Sequence, residues 1–182
     1  MRKFGFLSVG LLMIGLLSTS GSVRAQDEES SEVTVHVIAP ILDAEGTQIG
    51  MLAVATSEGA TELSIMVEGL AEGEHGLHLH ETGNCDPAGE NTFSQAGGHF
   101  NPAGTTHPGH AGDLGNLVVD ANGNALFLGG LGDATFDDGE FGLADADGTA
   151  LVIHADPDDL ATDPSGNSGA RIACAVVSPP AA

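Results

Sequence analysis

Imidazole and carboxylate groups dominate the chemistry open to this chain. Its eight histidines are His36, His75, His78, His80, His99, His107, His110 and His154. Residues i and i+2 of a strand face the same side. His78-Leu79-His80 therefore sets two imidazoles side by side, with Leu77 and Leu79 turned to the core. Alone, such a pair is weak evidence for a metal. His99, His107, His110 and Asp113 fall within 15 residues of a Gly- and Pro-rich stretch that can wrap around one ion. Three imidazoles and a carboxylate suit tetrahedral zinc; the alternative is a polar loop of solvated histidines. His154 ends the apolar run Ala150 to Ile153 and by itself reads as a strand-end histidine with its ring satisfied. His75, three residues before His78, would face the opposite way and reads as structural. His36 reads as an exposed strand histidine. Asp120-Ala121-Asn122-Gly123 and Asp145-Ala146-Asp147-Gly148 lack the downstream glutamate of a calcium loop and read as turns.

The segments that must hold these groups read as β-strands. Val33 to Ile38 is β-branched, and Thr47 to Thr56 and Thr61 to Glu68 flank the turn-like Ser57-Glu58-Gly59. In the latter, Leu63, Ile65 and Val67 alternate with Ser64, Met66 and Glu68, a period of two. Further strands are expected around His78 to His80, Leu117 to Val119, Ala125 to Leu128, Ala150 to His154 and Arg171 to Val177. Asn122-Gly123 is a strong hairpin-turn signal. No segment carries a convincing helical period. The pattern predicts one all-β domain over residues 33–182, an antiparallel sandwich or Greek-key barrel of about eight strands. Glu81 to Gly115 and Ala155 to Ala170 lack strand signals. Loops this long inside a compact domain are usually functional, and the histidines gather around them.

Composition narrows the function. The 182 residues hold 26 acids and four cations, Arg2, Lys3, Arg24 and Arg171, for a net charge of −22. Three cations sit in the first 24 residues, where Arg2-Lys3, the apolar run Phe4 to Leu17 and Val23-Arg24-Ala25 form a secretory signal pattern over residues 1–25. The apolar run is shorter than the roughly 20 residues that span a bilayer; an uncleaved anchor is the alternative. Residues 26–32 then read as an acidic leader. Cleavage would leave 26 acids against Arg171 alone, a net of −25. Such a chain cannot neutralise phosphates, so nucleic acid and anionic membrane surfaces are excluded as partners. Export to a periplasm, cell surface or medium also makes Cys85 and Cys174, the sole cysteines, a disulfide candidate. The alternative is two buried thiols.

Together these residues carry a resemblance. Gly76-Leu77-His78-Leu79-His80-Glu81, Gly97-Gly98-His99-Phe100-Asn101-Pro102, His107, His110 and Gly112-Asp113-Leu114-Gly115-Asn116 resemble the copper/zinc superoxide dismutase family. So do Leu151-Val152-Ile153-His154, Asp158-Asp159-Leu160 and the ending Gly166-Asn167-Ser168-Gly169-Ala170-Arg171-Ile172-Ala173-Cys174. The likeness spans about Val33 to Val177.

The resemblance implies copper on His78, His80, His99 and His154, and zinc on His99, His107, His110 and Asp113. His99 would be a shared imidazolate. Asp158 would hydrogen-bond His78 and His107, and Cys85–Cys174 would be the family's disulfide. The implied reaction is dismutation of superoxide to oxygen and hydrogen peroxide by alternate reduction and reoxidation of copper. His99 would release copper and take a proton on reduction, and Arg171 would attract the anion. Including both ions makes the local charge positive despite the acidic chain. The family's steering loop often carries a lysine, and Ala155 to Ala170 has none. A non-catalytic secreted copper/zinc-binding or copper-delivery protein is the alternative, although such a carrier would be expected to lose His99, His154 or the zinc set. Family members occur as monomers and dimers, so a homodimer stays open.

Overall fold

The computed structural model describes residues 32–88 and 91–181. The expected signal peptide and residues 26–31 of the acidic leader lie outside the described residues. Eight strands follow in chain order: β1 (Val33–Asp43), β2 (Gln48–Ser57), β3 (Ala60–Val67), β4 (Gly73–His80), β5 (Asp113–Val119), β6 (Ala125–Gly130), β7 (Thr149–His154) and β8 (Arg171–Ser178). They form one antiparallel sheet in the order β5-β4-β7-β8-β1-β2-β3-β6. Its two borders, β5 and β6, approach each other, so the sheet curls into a nearly closed barrel, as the strand pattern predicts.

Local chemistry explains the elements. On β3, Leu63, Ile65 and Val67 are buried while Ser64 and Met66 are exposed, the signature of a sheet with one wet face. The β2–β3 turn places Glu58 (φ 51°) and Gly59 (φ 83°) in the left-handed region, which a two-residue hairpin turn demands. Asn122-Gly123 also forms a turn, and the Asp120 carboxylate accepts the Asn122 and Asn124 N–H groups. The strands that it joins then part, because β5 pairs with β4 and β6 with β3. β5 also starts at Asp113, inside the stretch expected to lack strands, so a zinc-ligand candidate sits at a strand end.

Two apolar clusters hold the fold. The main core includes Ile41, Leu52, Ile65, Leu77, Leu79 and Ile153 inside the barrel. The second lies outside β7 and β8, where Phe93 and Ala96 pack on Ala150, Val152 and Cys174, with Cys85 against them. Every residue of β7 and His75 to His80 of β4 is consequently buried, because the barrel covers one face and the loop between β4 and β5 covers the other. Full burial of Phe93 stabilises that covering by roughly 2–3 kcal/mol. Cys85 is joined to Cys174 across a sequence separation of 89.

Candidate metal centre

β4 and β7 are neighbours in register, with His78 opposite Val152 and His80 opposite Ala150. This brings His154, at the end of β7, beside the His78–His80 pair. The loop after β4 returns to β4 at His99, bridged to His80, and the Phe100 N–H donates to the Leu79 carbonyl. His78, His80, His99 and His154 each place a ring nitrogen within 4.8 Å of the others. His99, His107, His110 and Asp113 form a second such group, and His99 belongs to both. All seven residues singled out from the sequence as ligands therefore converge, His154 among them, although taken alone it reads as a structural histidine.

In each copper-set ring other than His99, one nitrogen is fixed by the protein and the other is left bare. His80 Nδ1 donates to the Gly97 carbonyl at 3.0 Å and His154 Nδ1 to the Gly169 carbonyl at 3.3 Å. His78 Nε2 donates to Asp158 Oδ2 at 2.8 Å, and His107 Nε2 to Asp158 Oδ1 at 2.9 Å. The opposite atoms, His78 Nδ1, His80 Nε2, His107 Nδ1 and His154 Nε2, are buried without a hydrogen-bond partner among the described residues. Orphaned buried polar atoms are costly unless something binds them. In the second group the Asp113 carboxylate lies 2.7 Å from His99 Nδ1, 3.1 Å from His107 Nδ1 and 3.2 Å from His110 Nδ1. His99 Nδ1 is thus committed to the second group, leaving Nε2 for the first.

Charge agrees with this reading. Burial lowers His78 to about 4, His99 adds repulsion, and Asp158 pulls the other way. Burial, then repulsion from His78, lowers His154 to about 3. Burial and then Arg171 hold His80 well below the usual range. Burial opposes ionisation of Asp113, but the His99 hydrogen bond and the His110 N–H outweigh it and bring the carboxyl to about 2. His78, His80 and His154 are thus held neutral and the Asp113 carboxyl ionised, as metal ligation requires. Four imidazoles suit copper and a His₃Asp set suits zinc, so the residues fit both ions.

Supporting contacts reach further than spacing in the chain reveals. Asn116, on β5, clamps the backbone of Asp158 from both sides: its Oδ1 accepts the Asp158 N–H at 2.7 Å and its Nδ2 donates to the Asp158 carbonyl at 3.0 Å. Gly166 (φ 61°) passes so close to the carboxylate that a Cβ there would collide with it and crowd the His107 ring. His75 is structural, as expected, and also touches the site: its ring nitrogens lie 2.8 Å from the His154 carbonyl and 2.9 Å from that of Ala71. His36 differs from expectation. It is half-buried, stacked on Phe136 at 4.7 Å and bonded to Thr56 Oγ1, because a bulge in β1 turns it toward the loop after β6.

Arg171 starts β8 directly beside His154. Its guanidinium donates to the Phe93 and Gly97 carbonyls, both at 2.5 Å, and borders a cavity of about 430 Å³ with Asn91, Thr92 and Ser94. Gly97 O thus receives both His80 and Arg171.

Known proteins are similar to this chain in sequence and in fold. The family model described as copper/zinc superoxide dismutase matches residues 48–177. Cu-Zn superoxide dismutase 2 of Aquifex aeolicus is 36% identical over 97% of this chain and 99% of its own. That of Deinococcus radiodurans is 37% identical over 77% of this chain and 82% of its own. The superoxide dismutase-like protein YojM of Bacillus subtilis is 36% identical over 80% and 76%. Among solved structures, a SOD-like protein from Bacillus subtilis aligns with TM-score 0.73 and 32% identity, covering 79% of this chain and 99% of that one. The Cu/Zn superoxide dismutase from Brucella abortus aligns at 0.64 and 26%, covering 80% and 99%. With the histidine clusters, the strand order and the disulfide all in place, the chain belongs to the copper/zinc superoxide dismutase family.

Proposed function

We propose that this protein dismutes superoxide to oxygen and hydrogen peroxide. The observation that carries the reading is the pair of residue groups meeting at His99, lined by four buried ring nitrogens without a hydrogen-bond partner among the described residues. His78 Nδ1, His80 Nε2, His154 Nε2 and His99 Nε2 would hold copper; His99 Nδ1, His107 Nδ1, His110 Nδ1 and Asp113 would hold zinc. When bound, copper supplies one-electron exchange with superoxide, and zinc supplies fixed charge without redox chemistry.

The chain's own residues do the rest. Asp158 orients His78 and His107 by accepting from each Nε2, which keeps both Nδ1 atoms bare and basic. His99 stands between the groups, and its Nε2 is the atom placed to hold and return a proton, because Nδ1 is committed to the other side. Arg171 presents the sole cation of residues 25–182 beside that site and draws the anion in. Phe93, Ala96 and Phe100 are buried on the loop that delivers His99 and fix it against the barrel.

The signal pattern in residues 1–25 and the Cys85–Cys174 bridge support export to an oxidising compartment. Metal analysis combined with a superoxide-consumption assay, run before and after chelation and after copper and zinc are restored, tests the proposal. Activity that tracks both metals is the expected result. Tight binding of both metals without turnover would overturn it in favour of a carrier.

A further inference from the structure

One peptide of the loop after β4 aims two groups of the site. Gly97 O receives His80 Nδ1 at 3.0 Å and the Arg171 guanidinium at 2.5 Å. A copper-ligand candidate and the one cation of residues 25–182 are therefore directed by a single oxygen. The residues on either side of that peptide, Gly97 and Gly98, are both glycines, which have the most backbone freedom to lose. A carbonyl that must face two donors at once needs something to stop its plane from turning.

Glu81 supplies the restraint. Its Oε1 accepts the Gly98 N–H at 2.9 Å, and its own backbone N–H donates to the Gly98 carbonyl at 3.0 Å. Gly97 O and the Gly98 N–H belong to one planar trans unit, so fixing the N–H fixes the carbonyl on the opposite edge. A turn of the plane that broke the Glu81 bond would swing Gly97 O away from both of its donors.

Packing and charge agree. Gly97 has φ 77°, and a Cβ there would lie 2.7 Å from both Cγ and Oε1 of Glu81. The backbone thus leaves room for this carboxylate because residue 97 is glycine. On its outer side Glu81 borders a cleft of about 340 Å³ with Glu140, Asp145 and Asp147, and no cation lines that cleft to draw the carboxylate off Gly98.

We propose that Glu81 is a positioning residue: across the Gly97–Gly98 peptide it sets the aim of Arg171, and with it the capture of the anion. The inference rests on the reading of Arg171 as the residue that draws the anion in. An exposed acid acting only through its charge would hinder an anion nearby. Positioning and repulsion therefore predict opposite signs when Glu81 is removed.

Azide binding to the resting copper- and zinc-loaded protein, followed optically, tests this. Azide is an anion whose binding needs no turnover, so failure of the dismutase reading and failure of this one are separate results. Glu81→Ala removes a charge-assisted bond and should weaken azide at least about threefold. Glu81→Gln keeps an oxygen for the Gly98 N–H and drops the charge, so it should bind azide as tightly as the unaltered protein or more so. Glu140→Ala, in the same cleft and without a bond to Gly98, should do likewise. Because Glu81 is exposed, neither of its substitutions reaches the core. Arg171 is the only arginine of residues 25–182, so its Nε–H signal is readily assigned by NMR in the reduced, diamagnetic protein. The order parameter of that group should fall in Glu81→Ala and hold in Glu81→Gln. Azide that binds Glu81→Ala as tightly as the unaltered protein, or more tightly, overturns the proposal, as does an order parameter that does not move. Equal weakening by Glu81→Ala and Glu81→Gln also overturns it.

Discussion

With one oxygen on His78 and the other on His107, the Asp158 carboxylate sets the orientation of a ring in each ligand group. Asp158→Ala frees both rings, and affinity for copper and zinc should fall by about 10–100-fold, measured by chelator competition. Unchanged affinity for both metals would show that packing alone orients the rings. Protonation acts at the same atoms. His78 and His154 are lowered from 6.5 to about 4 and about 3, so the unfolded chain takes up protons before the folded one. The stability of the metal-free protein should be full above pH 6.5 and wear away as pH falls through about 4, in urea melts at stepped pH. A flat profile over that window would refute neutral buried rings. Arg171→Ala should slow turnover and flatten its salt dependence; an unaltered rate at low salt would show that Arg171 is not the principal guide. His154 stood out only through the family resemblance; the other candidate ligands were legible because an i, i+2 pair and a clustered loop are visible in one dimension. The clamp by Asn116 and the reach of His75 to the His154 carbonyl were not. Both join residues more than 40 positions apart, through contacts that no periodicity encodes.

Elements turn those atoms into a site. Among its described residues the loop from Glu81 to Gly112 has no helix or strand beyond the 3₁₀ turn at Ser94–Ala96, yet it must deliver His99 and hold Arg171. Phe93 beneath it and the Cys85–Cys174 bridge hold it to β7 and β8. Replacing both cysteines by serine should cost about 4–5 kcal/mol in the chain-entropy picture, measured by urea unfolding. It should also raise KM more than it lowers kcat, because the carbonyls that fix the guanidinium lie on that loop. Gly166→Ala should displace Asp158 and lower the affinity for both metals while the barrel persists by circular dichroism, because the glycine's left-handed backbone and missing Cβ leave room for the carboxylate. Every strand was legible from alternation and turn residues. Their limits were less so. β5 begins at Asp113 because it pairs with His78 across a bulge, and the Asn122-Gly123 turn joins strands that pair elsewhere. Pairing partners are a property of the closed sheet, absent from any single segment.

At the scale of the molecule, charge is the distinguishing trait. Beyond about 10 Å at 0.1 M salt the surface acids are screened from the cavity beside Arg171, so a chain this negative can still admit an anion. The same acidity fits a high-salt habitat: the melting temperature should rise from dilute buffer to molar NaCl, and a fall would count against that adaptation. The barrel adds a restraint of its own. Since β5 and β6, its two border strands, are drawn up to each other, a neighbouring polypeptide has little room to add a strand at either border. The same curvature works against the strand-by-strand growth by which open sheets become fibrils.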